Sequence, residues 1–178
     1  MNTYILQIDR NDEQMKWEHI PDTLWKAILS EFVNSHADGV GFDGVASSKA
    51  LSKMLGLFDW HQKEKFKCDI HTVFRNRKNI EISLSYRLSV FSYSIEIKNL
   101  LSNARFDQWQ SFDEKYSTDH LFFFSGKNVI LEVTPYENTI VFHLTRNQYS
   151  NLIQIDTLIQ DHLYQSSSDR VTTVNVIS

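Results

Sequence analysis

The chain has 178 residues, of which 42% are apolar and 22% charged, ordinary proportions for a globular domain whose folding buries about 70% of its unfolded surface. Five glycines and two prolines exclude collagen-like and low-complexity architectures. Eighteen basic and twenty-two acidic side chains leave a net charge of −4, too acidic for a general polyanion binder and too mild for an acidic tail.

Cys68 is the single cysteine, so no intramolecular disulfide forms and a reducing compartment is the natural expectation. The start of the chain lacks the basic flank and apolar core of a signal peptide. The longest apolar runs, such as residues 121–124, fall far short of the ~20 residues that span a bilayer. These features predict a soluble, cytoplasmic protein with no membrane partner.

In chain order, residues 4–8 are rich in β-formers and predict a first strand. Pro21 and Asp22 open a helix to about His36, with Leu24, Ile28 and Phe32 at i, i+4 and i+8 and Trp25, Leu29 and Val33 beside them. Residues 37–48 hold three of the five glycines and predict a loop. Ser47 or Ser48 then caps a short helix gathering Leu51, Met54, Leu55 and Phe58.

From Phe66 the apolar period becomes two. Phe66, Cys68, Ile70, Thr72 and Phe74 share one face; after a turn at residues 75–79, Ile80, Ile82, Leu84, Tyr86 and Leu88 resume the pattern. This predicts a hairpin. The phase slips near Val90, onto Phe91, Tyr93, Ile95 and Ile97, as a β-bulge or a new strand would do; a helix through Leu84, Leu88, Phe91 and Ile95 stays open as an alternative. A short helix falls within residues 100–110. Residues 120–125, 128–134 and 139–144 predict three strands joined by turns. Thr145 and Gln148 form a capping box for a helix over 146–165. Residues 166–170 read as a polar linker, and 166–178 as ending in a terminal strand or a mobile tail. The expected fold is one α+β domain over 1–178, an antiparallel sheet built from hairpins with helices packed on one face.

Motifs with catalytic overtones do not hold together. Gly39-Val40-Gly41-Phe42-Asp43-Gly44 matches G-x-G-x-x-G, but dinucleotide binding needs a strand before the glycines and a helix after them. Here a helix precedes, so the motif reads as a flexible helix-to-helix loop. None of the seven histidines belongs to an H-E-x-x-H or Cys/His grouping. Asp69 and His71 read as a solvated pair, and His143, inside an apolar strand, as a packed, hydrogen-bonded histidine. No serine sits in G-x-S-x-G, and Cys68 occupies the apolar phase of its strand, where a thiol is inert. No catalytic, cofactor-binding or metal-ligating residue is assigned, and the expectation is a non-enzyme without cofactors.

The charges are unevenly placed. In residues 9–22, Asp9, Asp12, Glu13, Glu18 and Asp22 oppose Arg10 and Lys16; in residues 107–119, Asp107, Asp113, Glu114 and Asp119 oppose Lys115. Each segment nets −3. Trp17 and Trp25 flank or enter the first, and Trp109, Phe112 and Tyr116 lie in the second. Acids mixed with large aromatics suit docking of a basic partner, the acids speeding encounter and the aromatics anchoring it. Residues 61–79 are basic instead, with Lys63, Lys65, Lys67, Arg75, Arg77 and Lys78 against Glu64 and Asp69.

With its modest size, mild acidity, α+β pattern and these two acidic segments, the chain resembles the small immunity proteins of bacterial toxin systems, including contact-dependent growth inhibition. The resemblance implies binding to one cognate toxin protein, basic and often a nuclease, whose active site or substrate groove is blocked. Asp107, Trp109, Asp113, Glu114, Tyr116 and Asp119 are the contact residues it suggests, with carboxylates standing in for substrate phosphates. Two other readings compete. One is single-stranded nucleic-acid binding by the 61–79 hairpin, with Tyr86, Phe91 and Tyr93 as stacking platforms if exposed; the net charge makes it the weaker reading. The other is a histidine-dependent enzyme with no motif of its own.

Overall fold

The computed structural model describes residues 1–8, 20–43, 64–75, 80–103, 106, 120–134, 139–166 and 170–177. Nine strands form one sheet: β1 (Asn2–Gln7), β2 (Gly39–Asp43), β3 (Glu64–Arg75), β4 (Glu81–Ser92), β5 (Leu121–Ser125), β6 (Asn128–Thr134), β7 (Thr139–Leu144), β8 (Leu163–Gln165) and β9 (Val171–Ile177). Their order is β8-β1-β7-β6-β5-β2-β4-β3-β9, and every neighbouring pair is antiparallel. The described helices are α1, running through Asp22–Ala27, Ile28–Val33 and Asn34–His36, then α2 (Ile95–Asn103), α3 (Arg146–Leu152) and α4 (Thr157–His162). The fold is mixed α+β with the sheet dominant.

Two cores flank the sheet. Alternate residues Tyr4, Leu6, Leu121, Phe123, Ile140, Phe142 and Leu144 join Trp25, Ile28, Phe32 and other helix residues in the larger one. The middle of α1 is a π-helix, whose wider turn buries Ile28, Leu29, Phe32 and Val33 together. The opposite residues of the same strands, Phe122, Phe124 and Val129, meet Cys68, Ile70, Leu88 and Val90 in the smaller core. Burial on both faces explains why β5–β7 read as near-continuous apolar runs rather than as alternation. A bulge at Ile130 puts both Ile130 and Leu131 in the larger core.

The sheet is strongly curled. β6 and β9 stand five places apart in the strand order, about 24 Å in a flat sheet. Yet Arg170, at the start of β9, and Thr172 within it both hydrogen-bond Glu132 of β6. The sheet therefore folds over its smaller core as a half-barrel.

Several expectations are corrected. Gly39–Asp43 is a central strand, not part of a loop, pairing β4 on one side and β5 on the other. A Cβ on Gly41 would lie 3.1 Å from Phe124 and 3.2 Å from Leu88. The missing Cβ makes room for these inner side chains. The slip at Val90 marks a strand buried on both faces, with Val90 in the smaller core and Phe91 in the larger; the bulge lies in β3, where Lys65 is extra. Ile95 and Ile97 open α2 instead of extending a strand. The capping box at Thr145 forms, but the helix it starts ends at Leu152. Asp156 caps a second helix through the Leu158 N–H at 2.8 Å, and Leu163–Gln165 turns into strand. The helix expected after Ser47 lies outside the described residues.

Candidate functional site

The six contact residues expected from the sequence, Asp107, Trp109, Asp113, Glu114, Tyr116 and Asp119, lie outside the described residues. The residues bordering both acidic segments are described, and they meet. Asp22, the last acid of the first segment, spends its carboxylate on the backbone N–H of Phe106 at 2.9 Å. Phe106 immediately precedes the second segment. Its ring packs edge-on against Trp25 with centroids 5.5 Å apart, and Ile20, Trp25 and Phe106 are fully buried. Trp25 is thus a core residue, not a surface anchor. The first turn of α1 thereby holds Asp22 beside Phe106, over the buried Trp25–Phe106 contact. Beyond the second segment, His120 is buried with Nε2 3.2 Å from the Tyr86 hydroxyl and its ring stacked near Phe122.

The basic hairpin presents a different surface. On its outer face Lys65 contacts the Asp38 carboxylate at 3.2 Å and Lys67 approaches Glu64 at 3.9 Å. Arg87 makes two hydrogen bonds to Asp69, at 2.8 and 3.3 Å. That pairing holds the Asp69 carboxyl below its usual range, the hydrogen bond from Arg87 outweighing slight desolvation. His71 contacts Ser85 at 2.9 Å and Ser83 at 3.4 Å. The proposed stacking rings are not on this face: Phe91 and Tyr93 are buried, and Tyr86 turns inward against Phe122. Burial, followed by the Asp69 charge, raises the Cys68 thiol to about 11, as expected for an inert core cysteine.

A charged cluster inside the half-barrel had no sequence motif. Glu132 Oε1 lies 2.8 Å from His143 Nε2, and its Oε2 accepts from Arg170 at 2.9 Å. Thr172 donates to Oε1 at 3.3 Å, and the other ring nitrogen of His143 lies 3.2 Å from the Thr3 hydroxyl. A carboxylate oxygen only accepts, so the proton of the His143 contact belongs to Nε2. The Arg170 guanidinium also stacks 5.0 Å over the Phe74 ring. Burial by itself would raise the Glu132 carboxyl; the His143 hydrogen bond and the Arg170 charge overcome it and keep the group ionised, below its ordinary value. His143 is therefore the packed, hydrogen-bonded histidine its strand position predicts.

Beside this cluster lies a cavity of about 460 Å³, bordered by Thr3, Lys127, His143, Arg170, Thr172 and Val174 among others. Within the cluster both Glu132 carboxylate oxygens are engaged, while the Arg170 Nε is buried with no hydrogen-bond partner among the described residues. Among the described residues no three His, Cys, Asp or Glu side chains converge as metal ligands, and no helix is long and apolar enough to cross a membrane. One signal for the cluster was in the sequence. A glutamate inside Val129-Ile130-Leu131-Glu132-Val133 must find partners once both faces are covered. The identity of those partners depends on the curl. Comparison with protein-family models, curated proteins and solved structures gave no match to this chain.

Proposed function

We propose that the chain is a stoichiometric protein inhibitor, an immunity protein that binds a cognate bacterial toxin domain and blocks its active site. The observation that carries this reading is the 2.9 Å hydrogen bond from the Phe106 N–H to Asp22. Each segment carries −3, and this bond joins the last residue of the first to the residue just before the second; in this reading their acids form a single electrostatic target. In this reading the helices pack on one face of the sheet, each contributing buried residues to the larger core, and hold that bond. Asp107, Asp113, Glu114 and Asp119 pair with lysines and arginines that ordinarily grip substrate phosphates, while Trp109 and Tyr116 fill desolvated pockets. Long-range attraction makes association fast and salt-sensitive. The partner is a basic protein, with nucleases prominent among the candidates.

The paired state of Lys65, Lys67 and Arg87 and the burial of Phe91 and Tyr93 weigh against the nucleic-acid alternative. The reading predicts a toxin gene immediately upstream of this one, and the test uses the domain that gene encodes. Calorimetry and native mass spectrometry should give a one-to-one complex. Reversing Asp107, Asp113, Glu114 and Asp119 to lysine should weaken it at least 100-fold and release toxin activity. Absence of such a neighbour, or undiminished binding by the reversed variant, overturns the proposal.

A further inference from the structure

Strand β9 closes one edge of the sheet, and among the described residues it pairs only with β3. An edge strand leaves alternate backbone N–H and C=O groups facing outward, and natural edges are guarded by lysine, proline, a bulge or brevity. The opposite edge, β8, is three residues long. β9 has seven, Val171-Thr172-Thr173-Val174-Asn175-Val176-Ile177, with no charge, proline or glycine and an unbroken register to β3. Three of the seven exposed large hydrophobics among the described residues, Val171, Val176 and Ile177, belong to this one strand.

The strand is also held in place. Thr172 bonds Thr72 of β3 at 3.1 Å and Glu132 of β6 at 3.3 Å, and Arg170 fastens its start to Glu132. These bonds tether the start of the strand, and among the described residues its outer edge has no strand partner, so less ordering is left to be done when a strand is added.

We propose that two copies of this chain associate through β9, antiparallel about a two-fold axis at Val174, joining two half-barrels into one continuous sheet. The sequence of β9 fits itself in that register. Val171 falls opposite Ile177, Thr172 opposite Val176, and Thr173 opposite Asn175. Val174 meets its own copy at the centre, a hydrogen-bonding Thr173–Asn175 pair stands on each side of it, and apolar or β-branched pairs lie beyond, the combinations that stabilise cross-strand contact. No like charges meet within the strand, and a two-fold contact is closed, so it ends at a dimer. The −4 charge of each chain opposes association, so salt should strengthen it. This inference does not rest on the inhibitor reading, because β9 includes none of the acidic residues that reading uses.

The test is sedimentation equilibrium of the purified full chain across a concentration series, alone, at low and high salt. The expected result is a shift from the 20.9 kDa monomer toward twice that mass, stronger in salt. Thr173 and Asn175 are exposed, so charging them leaves the fold intact, as circular dichroism will verify. The double variant Thr173→Lys, Asn175→Lys sets like charges opposite each other and should be monomeric. So should Thr173→Glu, Asn175→Glu. Mixing the two should restore a heterodimer, since each lysine then faces a glutamate. A wild type that stays monomeric at every concentration overturns the proposal. A dimer unchanged in both charged variants, or no heterodimer on mixing, overturns it as well.

Discussion

Ion pairs of the same chemistry sit in opposite surroundings in two regions of this sheet. In β5–β7, covered on both faces, the Glu132 side chain is 3% exposed and Arg170 13%. On the β3–β4 flank, open on its outer face, Arg87 and Asp69 make an equally short contact with side chains 76% and 42% exposed. Distance alone would rank the two alike. Solvation separates them: water competes for every contact of the exposed pair and compensates its loss, whereas the Glu132 carboxylate is cut off from bulk water and depends on its protein partners.

The largest effect expected from this difference follows Arg170→Ala. It leaves a buried carboxylate short of its cation and should cost about 3–5 kcal/mol, read as a lowered urea midpoint. A loss no greater than that of a surface substitution would remove the distinction between the two regions. Acid should expose the same contrast. Glu132 is held ionised below its ordinary value. Its contribution to stability is therefore complete above the unfolded value of 4.5 and disappears as pH falls through the lower folded value. Wild-type stability should fall more steeply below that point than the stability of Glu132→Gln, in denaturation midpoints taken across the acid range.

A smaller effect is expected at Gly41. Gly41→Val drives a branched side chain into Phe124 and Leu88, already 3.1 and 3.2 Å from a single added Cβ, and should cost about 1–3 kcal/mol. A neutral result would mean that the inner face has room to spare and that the packing there does not require glycine. The smallest effect belongs to the outer flank. Asp69→Asn should leave the urea midpoint at its wild-type position, because both partners are solvated with or without each other.

The same contrast explains which features were legible in the sequence. Where one face is wet, residue pattern maps directly onto structure: the alternation of Phe66 to Phe74 and of Ile82 to Leu88 predicted the β3–β4 hairpin. The apolar spacing of Leu24, Ile28 and Phe32 predicted α1 with its start at Asp22. Where contacts come from distant strands, pattern fails. Gly39 and Gly41 mimic a phosphate-binding loop, yet their role is the missing Cβ beside Phe124, a relation no local spacing records. Asp156 is a plain helix cap once noticed, but continuous apolar periodicity from Tyr149 to Leu163 concealed the break. Glu132 was conspicuous among aliphatics, while Arg170 and Thr172 became its partners only through the curl. For the acidic segments, charge and aromatic content were readable directly. Their common anchor was not, because a carboxylate bonded to a distant backbone N–H has no sequence signature.

That anchor is the central claim, and it is testable without any partner. Amide hydrogen exchange at Phe106, followed by NMR in the wild type and in Asp22→Ala, addresses it directly. The account predicts a Phe106 amide that exchanges slowly in the wild type and much faster in the variant, with the amides of β5–β7 unchanged. A Phe106 amide equally protected in both proteins would show that Asp22 does not hold it, and the two acidic segments would no longer share one origin.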